Sequence, residues 1–414
     1  MCLSSAIVGV AFFLRRRSLM GEALSHAAYP GVVLSAFVAS LFFSIDSEKT
    51  AFTTLALAFL TAFLGLFTIL KLESKVRMKP DSALCFVIAS FFGVGVLLAS
   101  RLQLSHALFY KTVQLFLYGQ AATMRGIHVQ IYGFFTLAIC LFFTFFFHPI
   151  RALLFDPHYP THEKIPSSWI RASLLFLLTL SIIIGIRSVG VVLISGMLIA
   201  PAIAASGLFH KLHKIFISAA LIGALSGFLG NYLSVELPFL VSSSPSFSLP
   251  TGPMILLSSG TICVLVLLFG KRSGLIRRYW RIFQFRKQCL EENILKFLWK
   301  ASAPFSAIQA SQGLCSWKLR YLLFTLKQQG WIQGNNTIHL TSDGKIRAGK
   351  IVRLHRLWEV YLVSLGAGAE KVHASAEEME HIISPELEKQ LSIVLGDPHK
   401  DPHAQPIPPE GGLL

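Results

Sequence analysis

Eight apolar runs fill most of the first 270 residues and constrain this chain more than any other feature: 21–45, 51–70, 82–100, 129–147, 172–186, 189–208, 215–241 and 253–270. Each is long enough, or nearly so, to cross the roughly 30 Å of hydrocarbon in a bilayer. With 53% hydrophobic and 14% charged residues among 414, the chain is too apolar on average to be one soluble protein. Beyond Lys271 ordinary amphipathic patterning takes over. The expected fold class is mainly α: a polytopic helical membrane domain of about eight or nine spans over residues 1–270, followed by a soluble part. The opening stretch 1–14 is apolar but too short to span, so it is half a helix or a truncated one. A cleaved signal peptide does not fit, because Arg15, Arg16 and Arg17 follow the apolar run instead of preceding it.

Basic residues orient the trace. Arg15 to Arg17, those within 71–79 and 151–171, Lys211 with Lys214, and everything from Lys271 onward fall on one side, which places the soluble part in the cytoplasm. Arg101, Lys111 and Arg125 lie opposite, in a connection able to hold re-entrant or interfacial helix. The 6 cysteines show no metal or disulfide spacing and read as reduced fillers. Between 271 and 287 stand Lys271, Arg272, Arg277, Arg278, Arg281, Arg286 and Lys287 without an acid, interleaved with Ile276, Tyr279, Trp280, Ile282, Phe283 and Phe285. That composition suits a helix against anionic lipid headgroups, with nucleic-acid contact as the alternative.

Each half carries a candidate metal constellation. Glu22 and His26 stand four apart as an apolar span begins. Ionisable groups in a membrane cost about 2.5–3.5 kcal/mol at its centre, so they usually face a cavity or path, here one for a divalent cation. The alternative pairs Glu22 with Arg17 and leaves His26 to packing. Near the C-terminus, His355 and Glu359 are again four apart, and His373, Glu377, Glu380 and His381 follow. On a helix, residues 377, 380 and 381 lie about +40°, −20° and +80° from 373, so four donors share one face. A set of imidazoles and carboxylates without thiolate suits Mn(II) or Fe(II), with Zn(II) also able to bind. The alternative is an exposed face of i,i+4 pairs.

The soluble part reads as helix 291–300, short helix 306–312, a turn at Gly313, helix 316–329, Gly330, then a strand pair around Asn335 and Asn336. That is the layout of a winged helix-turn-helix. Ser316, Lys318, Arg320 and Tyr321 fall at the start of its third helix, where bases and phosphates are reached; a helical adaptor is the alternative. No Gly-x-x-x-x-Gly-Lys-Ser/Thr phosphate loop occurs, so ATP hydrolysis is assigned to a separate subunit.

Leu19-Met-Gly-Glu22-Ala-Leu-Ser-His26-Ala-Ala-Tyr-Pro30-Gly31, with Phe116-Leu-Tyr-Gly119-Gln120, Phe155-Asp-Pro157 and the stretch from Val189 to Ala202, resembles the permease subunits of bacterial ABC transporters that import manganese, zinc or iron. The resemblance implies a multi-pass protein of the bacterial inner membrane. Its partners would be an ABC ATPase, a periplasmic metal-binding protein and a second permease subunit. An Asp and a His of that family match Glu22 and His26, one methylene apart at the carboxylate. Pro201, Ala202, His210 and Lys211 match the region that meets the ATPase. The first helix is shorter than the family's, and 237–250 is a long Ser/Pro-rich external loop.

Leu340-Thr-Ser-Asp-Gly344, Arg353-Leu-His355-Arg-Leu-Trp-Glu359, Val372-His373 through Glu377, Glu380-His381-Ile-Ile-Ser384 and Gly396-Asp-Pro-His399 through Pro408 resemble the diphtheria toxin repressor family. The resemblance implies a dimer whose metal orders its helices on operator DNA. His355, Glu377, Glu380 and His381 match its main metal site, and His355, Glu359 and His373 an ancillary one. Glu377 falls where manganese-type members place a carboxylate. Further ligand positions fall near Glu292, Asn293 and Lys296, of which a protonated lysine is no ligand. No room remains after Pro409 for the small third domain of some members. The expected domains are a permease at 1–270, a connector at 271–288, a winged helix at 289–345, and a metal-binding and dimerisation domain at 346–409. Proteolysis of the connector would free the sensor. The rivals are a sensor that gates transport without DNA, and a membrane-anchored sensor without transport.

Overall fold

The computed structural model describes residues 1–42, 48–119, 126–155, 167–241, 249–270, 274–368 and 372–409, and divides into two compact units, Met1–Arg277 and Arg278–Leu414. Gln120, Arg125, Asp156, Pro157, Lys271, Arg272 and residues 242–248 of the 237–250 loop lie outside the described residues.

The first unit is all helix: α1 (Cys2–Leu14), α2 (Leu19–Phe42), α3 (Glu48–Ser74), α4 (Pro80–Ser105), α5 (Ala107–Tyr118), α6 (Gly126–Phe145), α7 (Phe147–Phe155), α8 (Ser167–Val189), α9 (Ile194–Leu208), α10 (Leu212–Val241) and α11 (Thr251–Phe269). Six of the described helices are long and apolar enough to cross a membrane, and a seventh span results if α6 and α7, bent by 71°, count as one. That is fewer than the eight or nine expected. The run 189–208 accounts for one difference. Gly190 takes φ +100°, which L residues rarely adopt, so the helix breaks there and α9 restarts with only 15 residues. The Val191 N–H freed at that break donates to Phe116 O at 3.0 Å, and a Cβ on Gly119 would sit 2.3 Å from the Val189 carbonyl carbon. Two stretches of the permease-like pattern thus meet at one backbone crossing, satisfying polar groups that hydrocarbon leaves unsolvated.

α1 is too short to span and is buried from Ser4 to Phe12. It packs backbone to backbone: a Cβ on Gly9 would fall 1.9 Å from Leu198 O of α9, and one on Gly230 of α10 would fall 2.3 Å from the Ile255 Cα of α11. Such small-residue crossings replace the hydrophobic drive that lipid cannot supply. Hydroxyl pairs add to them, Ser35 donating to Thr54 at 2.9 Å and Ser5 meeting Ser181 at 3.3 Å. Phe63, Phe67, Leu97, Phe134 and Phe228 are exposed, as a lipid-facing belt requires.

The second unit begins inside α12 (Leu275–Lys300), so what reads as a connector is the first half of a continuous helix. It contains β1 (Ala303–Pro304), α13 (Phe305–Gln312), α14 (Ser316–Gln328), β2 (Ile332–Gln333), β3 (Thr337–Leu340), α15 (Ser342–Ser364), α16 (Val372–Met379) and α17 (Pro385–Val394). Gly313 closes α13 in the left-handed region, and β3 pairs antiparallel with both β1 and β2, Ala303 opposite Ile338 and Ile332 opposite Leu340. Ile294, Leu298, Ile308, Leu319, Leu322, Leu326, Ile338 and Ile351 form the core of this winged helix. Thr341 caps α15 by accepting from Gly344 N–H, and Ser384 caps α17 from Leu387 N–H. Arg353, buried in α15, donates to Pro408 O at 2.8 Å and pairs with Glu388 and Asp397, which ties the C-terminal segment to that helix.

Candidate metal centres and nucleic-acid face

The i,i+4 spacing on α15 puts His355 and Glu359 on one buried face, and the start of α16 brings His373 to it. His355 Nε2 lies 3.0 Å from Glu359 Oε1 and 3.0 Å from His373 Nδ1, which is itself 2.8 Å from Glu359 Oε1. These three offer donor atoms within 4.8 Å of one another, and Glu359 is 2% exposed. Donors held by bonds of about 2.1 Å stand about 3.0 Å apart at right angles and about 3.4 Å apart in a tetrahedron. Separations of 2.8–3.0 Å are also those of hydrogen bonds, so the donor types carry the assignment: imidazole and carboxylate without thiolate suit Mn(II) or Fe(II), and Zn(II) as well.

The other face of His355 looks elsewhere. Its Nδ1 is 2.5 Å from Glu380 Oε2, so a neutral ring that offers Nε2 to a cation donates its Nδ1–H to that carboxylate. Lys296 Nζ, from α12, donates to the same Glu380 Oε2 at 2.7 Å and stands 3.0 Å from His355 Nδ1. His381 Nδ1 is 2.7 Å from Glu292 Oε2, and Arg347 donates to Glu292 Oε1 at 2.7 Å. Burial pushes the Glu292 carboxyl up, but its bonds from His381 and Gln288 and the charge of Arg347 together hold it below the ordinary range. Glu377 is exposed, with His373 Nε2 at 3.8 Å.

The shared helical face expected for 373, 377, 380 and 381 is therefore divided. α16 ends at Met379, and the turn after it carries Glu380 and His381 inward while His373 stays with Glu359. Glu377 does not join Glu380 and His381 as a buried ligand. Glu292 and Lys296, from α12, more than eighty residues earlier in the chain, complete the surroundings of Glu380 and His381, and Arg347 joins them without any signal in the sequence pattern.

In the first unit, Glu22 and His26 lie half-buried on α2. Arg17 pairs bidentately with Glu73, at 3.0 and 3.2 Å, so the alternative in which it pairs with Glu22 is not what forms. His26 meets Phe92 edge-on at 4.8 Å, and its Nδ1 is buried without a hydrogen-bond partner. A buried orphan nitrogen on a membrane helix is chemically suited to a passing cation. Pro201 and Ala202 are buried inside α9 and offer no surface to another subunit, whereas His210 and Lys211 are exposed just beyond it.

Ser316, Lys318, Arg320 and Tyr321 all lie on the exposed face of α14 with Trp317 and Phe324. Gln309 donates to Ser316 Oγ at 3.0 Å across the helix-turn-helix, and Lys287 Nζ stands 5.0 Å over the Tyr321 ring.

Residues 1–270 match the model of the ABC 3 transport family, and residues 341–409 match that of the iron dependent repressor, metal binding and dimerisation domain. Over 98% of its length the chain is 34% identical to a probable metal transport system membrane protein of Chlamydia trachomatis serovar D, covering 93% of that protein. It is 27% identical to the manganese transport system membrane protein MntC of Bacillus subtilis, over 87% of this chain and 81% of that one. Among solved structures, PsaBC from Streptococcus pneumoniae in complex with Fab shares the fold at a TM-score of 0.55 and 24% identity, over 67% of this chain and 91% of that one.

Proposed function

Because the chain belongs to the ABC 3 transport family, we propose that it is the permease subunit of an ABC importer for a divalent transition metal, carrying its own metal-dependent repressor as a C-terminal sensor. The observation that carries this proposal is the His355–Glu359–His373 cluster, a cation site on the same chain as a permease. Manganese is the favoured ion, since the donor set lacks thiolate and the relatives include manganese permeases.

Glu22 and His26 line the metal path, and the orphan His26 Nδ1 supports that role. A separate ATPase subunit docks on the exposed stretch around His210 and Lys211. A periplasmic metal-binding protein delivers the ion, and a second permease subunit completes the pore. Unit 2 lies in the cytoplasm, as the charge distribution of the loops favours. Lys318, Arg320 and Tyr321 on α14 meet operator DNA, and exposed Ile393 and Val394 on α17 supply apolar surface for a second copy.

A gel-shift titration of the detergent-purified chain on DNA upstream of its own coding region, with Mn(II), Fe(II), Zn(II) or chelator, tests the sensor. A shift that requires one metal and is lost in Glu359→Gln is expected; binding to no fragment under any metal would refute the DNA-binding role. Metal uptake by vesicles with the cognate ATPase, lost in Glu22→Ala and His26→Ala, tests the permease.

A further inference from the structure

Two cation-binding neighbourhoods adjoin in unit 2, and they differ in one respect. Around Glu359 three donors converge, from His355, Glu359 and His373. Around Glu380 the converging group is itself a cation. Lys296 Nζ sits 2.7 Å from Glu380 Oε2 and 3.0 Å from His355 Nδ1, and the Glu380 side chain is fully buried. Glu380 Oε1 is left without a hydrogen-bond partner and faces His381 Nε2 at 3.6 Å. His381 spends its other nitrogen on Glu292, and Glu377 stays exposed. One carboxylate oxygen and one imidazole nitrogen, beside a fixed ammonium, are too few donors in too positive a place for a divalent ion.

We propose that Lys296 holds the place of a second cation as a tethered ammonium, so that unit 2 takes one exchangeable divalent ion, at His355, Glu359 and His373. The proposal rests on the metal-sensor function above and specifies it. The consequence is mechanical as well as electrostatic. A metal in the Glu380 neighbourhood would tie α12 to the turn after α16, and the lysine makes that tie permanently. Glu380 is thereby fixed as the acceptor that orients His355, a positioning role, while the exchangeable ion controls only the junction of α15 with α16.

The test counts metal on the full chain, in detergent, in a Glu22→Ala/His26→Ala background that removes the membrane path. The protein is stripped with chelator, loaded with Mn(II), gel-filtered and analysed by mass spectrometry of the metal. One ion per chain is expected, falling to none in Glu359→Gln. Lys296→Met is expected to raise the count to two, and Lys296→Arg to leave it at one, with circular dichroism verifying the fold of each. Two ions in the background protein, or no gain in a folded Lys296→Met chain, would overturn the proposal. Should Lys296→Met fail to fold, the background count decides alone. No ion in the background protein would overturn the metal-sensor function itself.

Discussion

Glu380 is where three side chains meet on one carboxylate: Lys296 and His355 on Oε2, and His381 facing Oε1. Removing its charge leaves the Lys296 ammonium, 19% exposed, without its counter-ion. Breaking a buried pair from one side costs about 3–5 kcal/mol, toward the lower end here because the lysine keeps some solvent. Glu380→Gln is therefore expected to lower the denaturation midpoint of unit 2, followed by tryptophan fluorescence. Metal affinity at the neighbouring site should drop about 10–100-fold by titration calorimetry, as for other losses of a carboxylate behind a ligating histidine. Glu291 tests the opposite sign. Burial pushes its carboxyl up, more than Lys287 pulls it down. An acid whose pKa is raised in the fold binds its proton more tightly there, so it weakens the fold as pH climbs from its unfolded value through its folded one. Glu291→Gln should raise the midpoint near pH 7 and leave it unchanged near pH 4. The ligand types and their order were legible in the sequence, and the resemblance already grouped His355, Glu359 and His373. The separation of Glu377 from Glu380 and His381 was not, because it depends on α16 stopping at Met379 and on Lys296, whose partner lies 84 residues away.

The helices of unit 2 follow from signals that are local. Gly313 in the left-handed region, the Thr341 and Ser384 caps, and Asn335 and Asn336 between two short strands all agree with the element boundaries. Local consistency made α13, α14 and the β2–β3 wing readable. The same local rules failed at 189–208, where composition promises a span and Gly190 breaks it; at 271–288 the basic, aromatic stretch, read as a helix, is helical from Leu275 and runs on unbroken into the first helix of unit 2. Hydropathy counts apolar residues without registering a φ of +100°. α14 allows a quantitative check. Each phosphate contact contributes about 0.9 to the slope of log affinity against log salt. Lys318→Ala with Arg320→Ala should therefore flatten the slope of operator binding by roughly 2, if both reach phosphate. An unchanged slope, with metal binding intact, would remove α14 from the DNA interface.

A permease is held in the membrane, whereas a repressor has to find an operator, so a chain with both has to reconcile two locations. Release of unit 2 by proteolysis would resolve the conflict, and the boundary between the compact units, at Arg277 and Arg278, falls where a cut would do so. Those residues lie in α12 with exposed side chains from Leu275's neighbour Ile276 to Arg286, but in helical backbone. A protease binds an extended segment, so exposure of side chains is not enough; the first turns of α12 have to open locally before cleavage. The opening free energy is then a control on how much repressor is freed. A proline in the helix interior costs about 3 kcal/mol and removes a hydrogen bond. Arg281→Pro is thus expected to increase the C-terminal fragment in the native host several-fold, and Arg281→Ala, which favours helix, to reduce it. An immunoblot against the C-terminus reads both. Equal fragment in both variants would place the cut outside α12, and full-length chain alone in every lane would mean that unit 2 acts from the membrane.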